Sequence, residues 1–190
     1  AAQRLQSLPT NAPDTTCRAL YLDVRWLVRG LVFANPLLDF DRLLFVKRFT
    51  QETYPDVCLN HMPWGSRPGG DLCVLSAPKG QKLPSALASP SDAPLPLRSI
   101  LNRALGPGHI HGMDLWWDGT RVVFGYARTP TDAPTEGWRD RAKSYHFRRT
   151  VEPTHIFEVG VDGRHLRQLT AGEWSDLDPT YTPSGDIVFV

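Results

Sequence analysis

The stretch GMDLWWDGTRVVFGYA, residues 112–127, places strand-like apolar runs on both sides of an Asp-Gly turn. Further on, THIFEVGVDGRHLRQLT, residues 154–170, has a second Asp-Gly turn between two more such runs. Asp-Gly flanked by β-branched and aromatic residues is the strongest short-range signal of a β-hairpin. We therefore predict four short antiparallel strands, forming one sheet over about 113–170.

The same unit recurs along the chain. DLDPTYTPSGDIVFV, residues 176–190, repeats its first half, and RLLFVKR (42–48) followed by GGDLCVLSAPKG (69–80) is an earlier copy. Phe45, Phe124 and Phe189 hold matching places in the three copies. A recurring four-stranded unit is typical of a β-propeller, and unrelated hairpins in a β-sandwich are the alternative.

The predicted fold class is thus all-β: a partial β-propeller of four-stranded antiparallel blades, preceded by an α-helix. Residues 37–190 form the propeller part, with a first blade at about 37–105, a complete second blade at about 113–170 and the start of a third at 176–190. Because a blade packs between two neighbours, we expect this chain to be a segment of a longer protein, its partners being the remaining blades, other domains of the same protein, or partner chains.

In the N-terminal segment, residues 1–36, the apolar residues recur with the period of a helix and not of a strand. Apolar residues at helical spacing predict an amphipathic helix from about Thr16 to Phe33; they are Leu20, Val24, Leu27, Val28 and Leu31. Asp-Thr-Thr at 14–16 is a candidate N-terminal cap, and Pro36 ends the helix. We favour packing of this helix on the first blade or an adjoining domain over a membrane-surface role.

The amino-acid composition of the chain limits the functions that it can have. The chain has 190 residues, 41% of them apolar and 22% charged, with a formal net charge of +1. This balance argues against a general nucleic-acid binder, and no apolar run has the length of a membrane span. The chain has three cysteines, Cys17, Cys58 and Cys73. Either all three are thiols without a functional role, or Cys58 and Cys73 form a disulfide bridge.

The connections between strands predict where a site lies. If the strands of a blade are lettered a to d from the centre outwards, the b–c and d–a connections of a meander share one face. The long segments 49–70, about 80–110 and 127–153 are assigned to b–c, d–a and b–c connections. Long loops in compact domains are usually functional, so we expect the ligand or partner on this face.

Two groups of polar residues on that face are candidate sites. His109 and His111, with Asp114 nearby, could hold zinc or another transition metal, a third ligand coming from His61 or Cys58. The alternative is that these side chains hydrogen-bond the loop backbone. WGSRPGGD, residues 64–71, lacks the GxxxxGK[ST] pattern of a phosphate loop, and we interpret it as a turn before a strand.

The second group is a basic insertion, GWRDRAKSYHFRRT, residues 137–150. Cations interleaved with aromatic residues can bind an anion or stack bases, and a solvated or partner-docking loop is the alternative. The predicted anion-binding residues are Arg139, Arg141, Lys143, Arg148 and Arg149.

Two stretches carry a family resemblance. DGRHLRQLT and DLDPTYTPSGDIVFV resemble the TolB-type propeller repeat. Together with NPLLDFDRLLFVKR and RPGGDLCVLS, they are also similar to proteins related to the hydrazine synthase alpha subunit. This resemblance implies an extracytoplasmic, periplasmic or secreted, multidomain protein with a propeller and, in some members, c-type haem. The motif CxxCH is missing here, so haem would lie only outside this segment.

Two functions remain open from the sequence. The first is a scaffold or binding module that holds its ligand or partner on the face with the long insertions. The alternative is part of a metal- or haem-dependent oxidoreductase resembling the hydrazine synthase alpha subunit. Whether the protein is an enzyme is left undecided, and no residue is assigned a catalytic role.

Overall fold

The structure is a computed structural model that describes residues 13–48, 69–91, 93–128 and 152–190. Most of the regular structure in these ranges is strand in antiparallel sheets, after an N-terminal helix, which confirms the β-rich class. The helices are α1 (Asp14–Phe33) and α2 (Leu83–Ala88). The strands are β1 (Arg42–Lys47), β2 (Asp71–Ser76), β3 (Leu97–Ser99), β4 (Gly108–Leu115), β5 (Arg121–Arg128), β6 (His155–Gly160), β7 (Arg167–Gln168), β8 (Thr180–Tyr181) and β9 (Ile187–Val188).

The predicted four-stranded unit is present as a meander in the order β4-β5-β6-β7. Both of its tight turns use the Asp-Gly pairs, in which glycine takes the left-handed backbone that other residues avoid: φ is 72° at Gly119 and 88° at Gly163. The preceding aspartates fix the turns, since Asp118 Oδ1 accepts the Thr120 N–H at 2.8 Å and Asp162 Oδ1 accepts the Arg164 N–H at 2.9 Å. Local side-chain chemistry therefore sets this register.

The core of this sheet is centred on β5. Phe124 is fully buried, lies opposite Phe157 of β6, and stacks on that ring with centroids 5.9 Å apart. The neighbouring valines, Val122 and Val123, are also fully buried. A strand buried on both faces reads as a continuous apolar run rather than an alternating one, which accounts for the RVVF stretch.

The earlier copy forms a sheet in the order β1-β2-β3 within the described residues. Phe45 is the fourth residue of β1, as Phe124 is of β5, so the two phenylalanines hold equivalent places. Ser76 donates its N–H to the Pro96 carbonyl at 2.9 Å, and Ile100 donates to the Leu72 carbonyl at 2.8 Å. These paired bonds make β2 and β3 antiparallel.

This sheet corrects one assignment of the connections. The segment 80–110 is not a single d–a connection, because it contains α2, β3 and the start of β4. Residues 77–96 join the second and third strands of the sheet and are thus a c–d connection. Only the short stretch 100–107 joins β3 to β4. The prediction that every long connection belongs to one face is therefore wrong for 77–96.

The last copy is the two-stranded sheet β8-β9. Leu177 and Val190 extend it by exchanging backbone hydrogen bonds of 2.7 and 2.9 Å. Phe189 lies just beyond β9 and is 43% exposed. Three successive antiparallel sheets thus correspond to the three sequence copies, and their arrangement as blades of a propeller remains a prediction.

Helix α1 departs from its prediction at its start and in its packing. It begins at Asp14 with Pro13 at the N-cap and no side-chain cap, so the predicted Asp-Thr-Thr cap is wrong. The carboxylate of Asp14 instead lies in the first turn, where negative charge favours the helix dipole. Of the predicted apolar stripe only Leu20 is buried, whereas Leu31 is 76% exposed.

The contacts that hold α1 involve α2. Arg29 Nε donates to the Leu87 carbonyl at 2.6 Å, and Gly30 faces the Ala88 carbonyl closely enough that an added Cβ would lie 3.7 Å from it. The Arg29 guanidinium also lies over the Trp26 ring, 5.3 Å from its centroid. Near its C-terminal end, α1 thus contacts α2 through Arg29 and Gly30, which do not belong to the Leu/Val stripe.

None of the helices in the described ranges combines the length and the apolar character needed to cross a membrane.

The described residues fall into two compact units. The first comprises residues up to Leu44 together with Val74–Arg98, and the second comprises the described parts of Phe45–Cys73 and Ser99–Val190. The complete four-stranded sheet and the candidate site described next belong to the second unit.

Candidate functional site

A cavity of about 450 Å³ opens in the second unit. Four chain segments meet there: the end of β1, the start of β2, the connection from β3 to β4, and the end of β5. In the strand lettering of a blade, these segments belong to b–c and d–a connections. Small-molecule sites usually measure about 300–1,000 Å³. The lining residues are Lys47, Gly69, Gly70, Asp71, Leu101, Arg103, Leu105, Gly106, Pro107 and Tyr126.

Two glycines let the chain segments approach closely beside this cavity. Gly70 donates its N–H to the Gly108 carbonyl at 2.7 Å, and a Cβ on Gly70 would lie 2.9 Å from that oxygen and from two backbone atoms of the next residues. A Cβ on Gly108 would overlap the Tyr126 ring and hydroxyl. Since real Cβ atoms do not approach backbone this closely, both positions require glycine here.

The connection from β3 to β4 forms one wall and has an unusual backbone. Asn102 and Arg103 both adopt the left-handed conformation, with φ of 45° and 63°. Such conformations carry a cost for residues other than glycine and cluster at binding sites. A hydrogen bond of 2.8 Å from the Asn102 N–H to Ser99 Oγ helps to hold the turn. This turn therefore fixes the backbone of Arg103, whose side chain lines the cavity.

Tyr126 anchors the same connection from β5. Its hydroxyl donates to the Gly106 carbonyl at 2.7 Å, and Arg128 Nε lies 3.4 Å from the Leu105 carbonyl. Burial raises the pKa of Tyr126 to about 12, so the phenol stays protonated and remains a donor at neutral pH. The shape of the cavity therefore depends on a bond between β5 and the connection.

The cavity combines charges of both signs. Lys47 and Arg103 contribute cations at its exposed rim, while the half-buried Asp71 contributes a carboxylate at the start of β2. Asp71 Oδ1 is buried, and among the described residues it has no hydrogen-bond partner. A buried atom offers no surface to a ligand, so the half-buried Asp71 can meet a ligand only through the exposed part of its side chain.

Cys73 lies two residues further along β2 and is buried with a free thiol. Burial, followed by the charge of Asp71, raises the pKa of this thiol. A protonated buried thiol is chemically inert, so we assign Cys73 no nucleophilic role. Cys58, its suggested disulfide partner, lies outside the described residues.

The two histidines of the metal prediction lie inside β4, which begins at Gly108 and not at about residue 113 as predicted. Both are buried, at 2% exposure each, and their ring centroids are 4.6 Å apart. Asp114 is separated from them by a bulge between His111 and Met113. Its Oδ2 accepts the Thr180 hydroxyl and the Tyr181 N–H, both at 2.8 Å. Asp114 thus ties β8 to β4.

The metal prediction gains no third ligand from this arrangement. No group of three or more His, Cys, Asp or Glu side chains suited to a metal ion occurs within the ranges that the structure describes. His61 and Cys58, the suggested further ligands, fall outside those ranges. Zinc or another transition metal at His109 and His111 stays a prediction.

The predicted anion-binding residues also fall outside the described ranges. They are Arg139, Arg141, Lys143, Arg148 and Arg149. The cavity instead uses Lys47, Asp71, Arg103 and Tyr126, none of which the sequence singled out. One signal was present, since Gly-Gly-Asp at 69–71 belongs to the stretch interpreted as turn chemistry, and a double glycine before a strand also indicates close backbone approach.

A second polar cluster, centred on Glu158, is structural. Its Oε2 receives Arg167 Nη2 at 2.6 Å and Nε at 2.9 Å, and its Oε1 receives the Tyr181 hydroxyl at 2.8 Å. Arg121 lies 3.7 Å from Oε1 and over the Trp116 ring, 4.5 Å from its centroid. The cluster links β5, β6 and β7 to β8, and no part of it lines the cavity.

This cluster makes stability depend on pH. Burial raises the pKa of Glu158, but the hydrogen bonds from Tyr181 and Arg167 together outweigh it and leave the pKa below its ordinary value. A lowered folded-state pKa stabilises the protein above the unfolded-state pKa of about 4.3, and this contribution is lost as pH falls through the folded-state pKa.

We expect Glu158→Gln to lower the free energy of unfolding by about 1–2 kcal/mol at pH 7, because it weakens charge-assisted hydrogen bonds to partly exposed arginines. The difference from the wild type should shrink as pH falls below the unfolded-state pKa of about 4.3 and then through the lowered folded-state pKa of Glu158, where the folded carboxylate becomes protonated as well. Urea denaturation from pH 7 to pH 3 measures this difference. A difference that is constant over the whole range would contradict the assignment.

Comparisons of the chain with protein-family models, with curated proteins and with solved structures found no match. The resemblance to the hydrazine synthase alpha subunit and to TolB-type repeats therefore remains a prediction from sequence motifs.

Proposed function

We propose that this chain is a propeller-type binding module of a larger extracytoplasmic protein, and that it holds a small anionic ligand in the cavity beside the β3–β4 connection. Lys47 and Arg103 would bind the acidic group of the ligand. Tyr126, with Gly70 and Gly108, would keep the walls in place. The sheets would act as a scaffold, as the sequence predicts for the face with the b–c and d–a connections.

The position of the cavity is the observation that carries this proposal. It lies at strand ends and connections, where scaffold proteins generally place their binding residues. It is formed by b–c and d–a connections, the kind of connection that the sequence singled out, although the residues that form it are different ones. A localisation outside the cytoplasm rests on the sequence resemblance alone.

The charges at the rim support an anion as ligand. Lys47 and Arg103 come from segments far apart in sequence, and both line one cavity. Arg103 sits on a left-handed backbone next to another left-handed residue, which limits the conformations that ligand binding must still fix. The guanidinium of arginine is also suited to paired hydrogen bonds with a carboxylate or phosphate.

The test is calorimetric titration of the chain with inorganic phosphate and with glutarate at low ionic strength. We expect saturable binding of at least one of these anions, weakened about tenfold by Arg103→Gln or by Lys47→Gln, since each charged hydrogen bond contributes about 1.5 kcal/mol or more. Added salt should weaken binding as well, because both cations are exposed.

Lys79→Gln is the matched control, since Lys79 is an exposed lysine of the first unit. It should leave the affinity unchanged. No binding of phosphate, glutarate or L-glutamate, or equal losses in the Lys79 variant and the cavity variants, would overturn the proposed function.

A further inference from the structure

The negative charge of Asp71 limits the kinds of ligand that can bind in the cavity. Asp71 lines the same space as the two rim cations and is only half-buried, so its carboxylate adds a negative charge to the cavity. A ligand that carried only negative charge would be repelled by this carboxylate. A ligand with a cationic donor beside its acidic group would pair with both the cations and the carboxylate that line the cavity.

We infer that the ligand is a small aminocarboxylate: a molecule with an ammonium group that binds Asp71 and a carboxylate that binds Lys47 and Arg103. This inference rests on the proposed function and assigns the substrate class of the same cavity.

The surroundings of Asp71 fit this role. Leu101, Leu105 and Pro107 add apolar surface to the cavity wall. An aminocarboxylate would place its carbon chain against these residues and its charged groups against the polar ones.

The experiment compares L-glutamate with glutarate, which differ in the ammonium group. We expect the wild-type chain to bind glutamate about tenfold more tightly than glutarate, and Asp71→Asn to bring this ratio close to one. Asp186→Asn, at an exposed carboxylate in the β8–β9 turn, is the matched control and should keep the wild-type ratio.

The outcomes separate this inference from the proposed function. If glutarate binds as tightly as glutamate to the wild-type chain, the inference is overturned while the binding module stands. If neither compound nor phosphate binds, the proposed function itself fails. If Asp71→Asn does not fold, the ratio of the glutamate and glutarate affinities of the wild-type chain still tests the inference. N-acetylglutamate, which lacks the ammonium group, should then bind the wild-type chain no more tightly than glutarate does.

Discussion

We expect Phe124→Ala to lower the free energy of unfolding of the chain by about 3–5 kcal/mol, the largest effect of a single truncation in the sheet. The side chain is fully buried at the centre of β5 and stacks on Phe157, so its removal leaves a cavity that neighbouring strands cannot close. Urea denaturation followed by circular dichroism measures the change.

The matched control is Phe189→Ala, at the place in the last copy that corresponds to Phe124. Phe189 is 43% exposed, so its truncation should cost about 1 kcal/mol because less apolar area is lost. Equal losses at the two positions would show that Phe124 is not buried at the centre of a sheet, and the assignment of β5 as the core strand would fail.

The second large effect is expected for Gly108→Ala. An added Cβ would overlap the Tyr126 ring and lie 2.5 Å from the Ala127 carbonyl, so either the tyrosine or the strand must move. Forcing extra volume into a packed site costs about 1–3 kcal/mol. Because displaced Tyr126 can no longer hold the Gly106 carbonyl, anion affinity should fall together with stability.

Gly30→Ala provides the comparison for this substitution. Gly30 lies in α1, and its added Cβ would meet the nearest atom at an ordinary 3.7 Å. Alanine is favoured over glycine in a helix by about 0.5–1 kcal/mol, so this variant should be as stable as the wild type or slightly more so. If Gly108→Ala behaves in the same way, the close contact between β4 and Tyr126 is absent in solution.

The fold was predictable where local chemistry decides it. Asp118-Gly119 and Asp162-Gly163 specify their own turns, and the apolar runs beside them leave little choice of pairing. Helix α1 was predictable from its period within two residues of its start. The short elements inside 77–110 were not, since α2 has six residues and begins with Leu-Pro, and β3 has three.

The start of β4 could not be predicted from the sequence, for a different reason. Two histidines flanked by glycines, at 108–112, resemble a loop, yet both imidazoles are buried because the strand continues through them to Gly108. The cavity residues were less predictable still. Lys47, Asp71 and Arg103 come together through long-range strand pairing, and none of them stands in a sequence motif.

The most direct measurement of the central claim is residue-resolved NMR of the ¹⁵N-labelled chain during titration with L-glutamate. If the ligand binds where the β1–β2 and β3–β4 connections meet, the amide shifts will concentrate at 69–71, at 101–106 and around Tyr126, and will saturate together. Shifts that are spread over exposed lysines and arginines without saturation, or that centre on the β4–β5 and β6–β7 turns, would contradict it.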